Sequence, residues 1–164
     1  MHAHDIYMRI ALKEAWKAYD LGEVPVGAVI IDSDGTILGK AHNETITRND
    51  PTAHAEILAL REAAEAIKNY RLLQTKMYVT IEPCIMCAGA LVHARVEEVI
   101  YGANDPKWGG VTSLYQLCED ERLNHRLNVT SGVLESDCGD VIRRFFIEKR
   151  EEKEDSLPEV FLLD

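Results

Sequence analysis

No stretch of this chain comes near the ~18 consecutive apolar residues that a membrane-spanning helix needs, so no membrane partner is expected. The first residues, Met1-His2-Ala3-His4-Asp5, lack a basic region followed by an apolar core, and no secretory leader is expected there. Cysteine is scarce: four in 164 residues, two of them spaced C-x-x-C. That argues against a disulfide framework and for a reduced, cytoplasmic setting with thiolates free for metal. Basic residues are outnumbered, 18 Lys+Arg against 28 Asp+Glu, for a formal net charge of −10. A generic nucleic-acid binder with a broad basic footprint is thereby disfavoured. A local basic patch stays compatible, because charges act over a Debye length of about 8 Å at physiological salt. Internal repeats and low-complexity linkers are absent too. What is present is 46% hydrophobic sequence, enough for one domain with a sizeable core. That domain is expected over residues 1–154, with 155–164 as a loosely held tail whose Leu157-Pro158 and Phe161-Leu162-Leu163 remain apolar enough to dock.

Helical spacing of Ile6, Ile10, Ala11, Ala15 and Ala18 predicts a helix over 6–21, stopped by Gly22. Val24 to Ile31 is a continuous apolar run, a buried strand, and Asp32-Ser33-Asp34-Gly35 turns it into a second strand over 36–39. Asp50-Pro51 is a helix-start signal, with Asp as N-cap and Pro in the first turn. Met77 to Ile81 reads as a strand, Pro83 to about Arg95 as a helix, and Val96 to Tyr101 as a strand ended by Gly102. A short helix over 113–119, a weak strand near 128–134 and a helix over 140–154 complete the chain. Helices alternating with single strands after a hairpin imply a three-layer α/β domain around a mixed sheet.

The chemistry lies in two stretches, Asp50-Pro51-Thr52-Ala53-His54-Ala55-Glu56 and Glu82-Pro83-Cys84-Ile85-Met86-Cys87. One imidazole and two thiolates suit zinc and leave a fourth tetrahedral position for water, the catalytic rather than the closed structural arrangement. Cys84 and Cys87, three apart at a helix start, point to one face, and the helix N-terminus favours their thiolate forms. Read as core hydrophobes alone, they would have no reason to follow Pro83 or to match a separate His. Cys118 and Cys138 lack such a setting and are expected in core or surface positions. Glu56 is the proton carrier within reach. Residues two apart on a helix face nearly opposite ways, so His54 and Glu56 converge only if the site lies at the helix end. Both helices then aim their positive ends at the metal.

His54-Ala55-Glu56 with Pro83-Cys84-Ile85-Met86-Cys87 resembles the H-x-E…P-C-x-x-C pattern of the zinc nucleobase deaminases. More closely, the chain is similar to the bacterial tRNA-specific adenosine deaminases. The similarity runs through Glu23 to Val29, Asn43, Asp50 to Ala59, Asn69 to Leu72, Tyr78 to Ala90, Gly102 to Lys107 and Asn124-His125. It covers most of residues 5–150. The resemblance implies a cytidine-deaminase-like α/β/α domain with about five strands. It implies one zinc per subunit on His54, Cys84 and Cys87, with Glu56 carrying protons. Its reaction is conversion of adenosine to inosine at the wobble position of a tRNA anticodon, by a cytoplasmic homodimer. By position, Asn43 contacts the flipped nucleotide, Val26 and Ala55 border the base, and Asp105 and Lys107 lie along the anticodon backbone. Read without the resemblance, Asn43 is a strand-end turn residue.

The chain departs from that pattern after Lys107, where Trp108-Gly109-Gly110-Val111-Thr112-Ser113 replaces the usual small residues. Trp108 is suited to stack on a base, worth about 1–3 kcal/mol, or to serve as an interface or core aromatic. Arg143 and Arg144 have few acidic neighbours in sequence and offer a phosphate-contacting edge; a salt-bridged solvent face is the plainer reading. Two other functions compete: a deaminase of free nucleotides or bases (deoxycytidylate, guanine), which the charge of −10 favours, and a non-catalytic zinc-stabilised module, against which Glu56 and the open position speak.

Overall fold

Val29, Ile30 and Ile31 are β-branched and flanked by small residues, and they form the sheet's inner strand β1 (Gly27–Ile31), buried at all five positions. Burial on both faces explains why the run is continuously apolar rather than alternating. The computed structural model describes residues 2–156. After β1, the Asp32 carboxylate accepts from the amides of Asp34 and Thr36 (2.9 and 3.0 Å) and closes the turn into β2 (Ile37–His42). β2 is antiparallel to β1, from Gly27 opposite His42 to Ile31 opposite Ile37. On the other side of β1 lie antiparallel β3 (Lys76–Ile81), then β4 (Glu98–Ala103) and β5 (Asn128–Thr130), each parallel to the strand before it. The sheet order is β2-β1-β3-β4-β5, the five-stranded mixed sheet expected.

Alternation along the strands divides the core in two. Val29, Ile31, Tyr78 and Ile100 pack with Met8, Ala11 and Leu12 of α1 (Ala3–Asp20) and Cys138 and Val141 of α4 (Glu135–Asp155). Ala28, Ile30, Met77, Val79 and Val99 face α2 (Ala55–Ile67) and α3 (Ile85–Ala94), meeting Leu58, Ala59, Ala88 and Leu91. The result is three layers, α/β/α. Burial pushes the thiols of Cys118 and Cys138 up to about 12, so both are inert packing residues.

α1 rests directly on β1 because Gly27 has no side chain. A Cβ there would stand 1.8 Å from the Ala11 carbonyl oxygen and 2.6 Å from the Ala15 nitrogen. Gly27→Ala should therefore lower stability by about 3 kcal/mol, the upper range for overpacking. Urea unfolding midpoints check this; a midpoint within error of wild type would show that α1 does not depend on the close approach.

Several boundaries differ from the sequence expectation, each for a local reason. α1 starts at Ala3 rather than at residue 6, bringing His4 Nδ1 to 2.9 Å from the Tyr78 hydroxyl, so His4 is docked on the sheet. The Asp50 carboxylate accepts from the Thr52 amide and hydroxyl within its own turn, and α2 begins at Ala55 instead. α3 starts at Ile85 rather than Pro83. β4 continues through Gly102 to Ala103. The helix expected over 113–119 shrinks to a 3₁₀ turn at Leu117–Glu119, because the amides of residues 111–113 turn towards Glu82. Leu134 adopts a left-handed conformation (φ 51°) and starts α4 at Glu135, five residues early. The tail expected over 155–164 lies, from residue 157, outside the described residues.

Candidate metal centre and its surroundings

Two helix N-termini meet at one point. His54 is the N-cap of α2 and Cys84 the N-cap of α3, both with extended backbone, and neither uses its side chain to cap. Each carbonyl still accepts the first helical bond, from Leu58 (3.0 Å) and Ala88 (2.8 Å). The side chains are thus released towards each other, and Cys87, one turn into α3, joins them. His54 Nδ1 is 3.6 Å from Cys84 Sγ and 3.6 Å from Cys87 Sγ. All three ligand atoms lie within 4.8 Å of one another. Tetrahedral zinc with Zn–S near 2.3 Å and Zn–N near 2.05 Å would separate N and S by about 3.6 Å. The donor set fits zinc in type and in spacing. Hydrogen bonding from Cys87 holds the Cys84 thiol down to about 4, while the same contact and burial push Cys87 up. Both thiols give up their protons when a cation binds.

Glu56 follows His54 in the first turn of α2 and is 3% exposed. Burial pushes its carboxyl above the ordinary range, against the pull of Cys87 and His54. The helix-end geometry that brings His54 and Glu56 together arises because His54 stands outside the helix and Glu56 inside it. On the same side, the Asn43 amide donates to the Val26 carbonyl (3.1 Å), and Asn43 Oδ1 accepts from the Ala55 amide (2.9 Å). Val26, Asn43 and Ala55 therefore form one wall beside His54. Ala55 has its side chain buried and its amide used by Asn43, whereas the Asn43 Nδ2 donors have no protein partner among the described residues.

Asp105 and Lys107 lie across the metal turn, on a loop tied to it by the Gly110 amide donating to the Pro83 carbonyl (2.8 Å). The Asp105 carboxylate accepts from the amides of Lys107 and Trp108 (3.1 and 3.2 Å), so it shapes the loop, while Lys107 and Trp108 project outward; Trp108 is 68% exposed. It is not a core aromatic. Beneath the loop, Glu82 is 2% exposed and accepts from the amides of Asp105, Val111, Thr112 and Ser113 and from the Ser113 hydroxyl.

Residues 1–103 match the family described as the cytidine and deoxycytidylate deaminase zinc-binding region. The chain belongs to this family. It is 51% identical over 146 residues to the tRNA-specific adenosine deaminase of Haemophilus influenzae, covering 89% of this chain and 84% of that one. The Bacillus subtilis tRNA-specific adenosine deaminase is 48% identical over 153 residues, 93% of this chain and 94% of that protein. A solved structure from work on A-to-I editing by tRNA:A34 deaminases at the wobble position superposes with a TM-score of 0.80 at 42% identity, covering 83% of this chain and 98% of that one. The superposition agrees with the three-layer fold described above.

Two buried carboxylates that hold loops beside the site were given no role in the sequence reading. Besides Glu82, Glu23 is 0% exposed and accepts from the amides of Ile46 and Thr47 (both 2.8 Å), fixing the loop that follows Asn43. Their only sequence signal is position, each just before a motif. Arg143 and Arg144 pair with Asp140 and Glu148 on α4, the salt-bridged face. His125 Nε2 lies 2.7 Å from the Val96 carbonyl oxygen, a structural tie. No helix among the described residues is long and apolar enough to cross a membrane.

Proposed function

We propose that this chain converts adenosine to inosine at the wobble position of a tRNA anticodon, releasing ammonia, with one zinc per subunit on His54, Cys84 and Cys87. The observation that carries the reading is the juxtaposition, at two helix ends, of a His/Cys/Cys donor set, its imidazole 3.6 Å from each sulfur, and a buried carboxyl on the turn that supplies the imidazole. Zinc, when bound, supplies Lewis-acid activation of a water. Glu56 takes a proton from that water and gives it to the ring nitrogen beside the carbon under attack. It then moves the second proton to the departing amine, so that water and adenosine become inosine and ammonia. The Asn43 Nδ2 donors orient the flipped nucleotide, and Val26 limits the depth of the base. Lys107 and Trp108 meet the strand outside, one by charge and one by stacking. These two exposed side chains offer a local RNA contact on a protein whose net charge is −10.

The substrate assignment rests on relatives that are named tRNA-specific adenosine deaminases at 51% and 48% identity. We assign a homodimer in the cytoplasm. Exposed Ile85, Leu114 and Tyr115 beside the metal turn give a second copy an apolar surface to cover. The test is a side-by-side assay on an anticodon stem-loop with a wobble adenosine, free adenosine, deoxycytidylate and guanine. Turnover of the stem-loop is expected; turnover confined to a free base or nucleotide would overturn the tRNA reading.

A further inference from the structure

Glu82 belongs neither to the donor set nor to the proton path, yet it is among the most enclosed charged groups in the protein, 2% exposed. A buried carboxylate is costly unless its oxygens are matched by donors. Here Oε2 accepts three consecutive amides, Val111 (3.2 Å), Thr112 (2.9 Å) and Ser113 (2.9 Å), a backbone nest that suits an anion. Oε1 accepts the Asp105 amide (3.1 Å) and the Ser113 hydroxyl. All five donors are neutral, and all belong to one loop. The bonds close both ends of the segment 105–113, whose outward side carries Lys107 and Trp108.

The two glycines in that loop allow two close approaches, one to Glu82 and one to the metal turn. A Cβ on Gly109 would stand 2.2 Å from Glu82 Oε2, and one on Gly110 would stand 2.9 Å from the Ile85 backbone. The Trp108-Gly109-Gly110 departure thus places a large exposed aromatic directly before one residue whose smallness lets the backbone settle on the carboxylate, Gly109, and one that lets it lie against the start of α3, Gly110. A neutral side chain of the same size would not match a ring of donors: an amide in place of the carboxylate turns an NH₂ towards N–H groups.

Resting on the tRNA reading above, we propose that Glu82 is a positioning residue for the nucleic-acid substrate. Its carboxylate holds the 105–113 loop in the form that presents Lys107 and Trp108 to the anticodon strand. The role is in binding, not in the chemical step. Glu56, His54, Cys84 and Cys87 are held by α2 and α3, whose N-terminal bonds do not involve Glu82.

Glu82→Gln should raise KM for the wobble-adenosine stem-loop by about tenfold or more, the scale expected when charge-assisted bonds are lost. It should keep kcat within about threefold and zinc at the wild-type level. Hydrogen exchange at the amides of residues 111–113 should speed up in parallel. Ser113→Ala removes one of the five bonds at the surface and guards against a Glu82 variant that does not fold; a KM rise of about threefold is expected from it. Unchanged KM in Ser113→Ala and in a folded Glu82→Gln, with the wild type turning over the stem-loop, overturns the proposal. So does a fall in kcat alone or a loss of zinc, either of which would place Glu82 in support of the metal turn. A wild-type protein inert on the stem-loop fails the tRNA reading itself. The proposal then fails with it, while the exchange data report separately whether Glu82 holds the loop.

Discussion

Glu56→Ala is expected to bind zinc like the wild type and to lose turnover by about 10²–10⁴-fold, the range a positioned proton carrier contributes. The donor set explains the first half. His54, Cys84 and Cys87 meet without Glu56, which stands outside the group of three ligand atoms. Stability should hold or improve, because the substitution removes a carboxyl that is 3% exposed and raised in pKa by burial, and Ala favours the helix. Loss of rate therefore cannot be assigned to unfolding. Glu56→Gln preserves shape and should fall as far, since an amide cannot carry the proton. Metal analysis beside single-turnover rates on the stem-loop makes the measurement. A rate within tenfold of wild type in either variant would remove Glu56 from the proton path.

The layers and most of the strands were legible in the sequence because burial leaves periodic marks; the strand order came only from the structure. The continuous apolar run of Val29-Ile30-Ile31 announces a strand covered on both faces, and the structure buries it at every position. The helix starts were less legible, and the reason is functional. Asp50-Pro51 offers a strong capping signal, but the Asp50 carboxylate is taken up by Thr52, and α2 begins at a histidine that caps poorly. Cys84 does the same for α3. At both helices, local capping preference gives way to a side chain turned towards the candidate metal centre. The spacing argument reached the helix end from His54 and Glu56 alone, because i and i+2 have few other ways to meet. Glu23 and Glu82 stayed hidden since a buried glutamate looks like a solvated one in sequence. Their partners lie 22–31 residues away, at distances that no local pattern encodes.

Cys87→Ala is expected to lose zinc and all measurable activity, and its thermal behaviour separates the metal's share from the packing of the sulfur. Cys87 is fully buried, its sulfur 3.6 Å from the α2 N-cap His54, so truncation removes some packing in any case. Cys118→Ala measures that part, since Cys118 is equally enclosed and belongs to no donor set. The further loss comes from linkage: a metal that binds only the folded state stabilises it by RT ln(1 + [L]/Kd), about 4 kcal/mol at a thousandfold excess over Kd. For wild type, Glu56→Ala and Cys118→Ala, a chelator should lower Tm by several degrees. For Cys87→Ala it should change nothing, because the two remaining donors cannot hold the ion against it. One zinc per chain in the wild type and none in Cys87→Ala completes the pattern. Retention of a full equivalent by Cys87→Ala would mean that the His54, Cys84 and Cys87 donor set is not the site of the metal. A chelator-sensitive Tm in that variant would mean the same, since the stabilising ion would then have to sit on other groups.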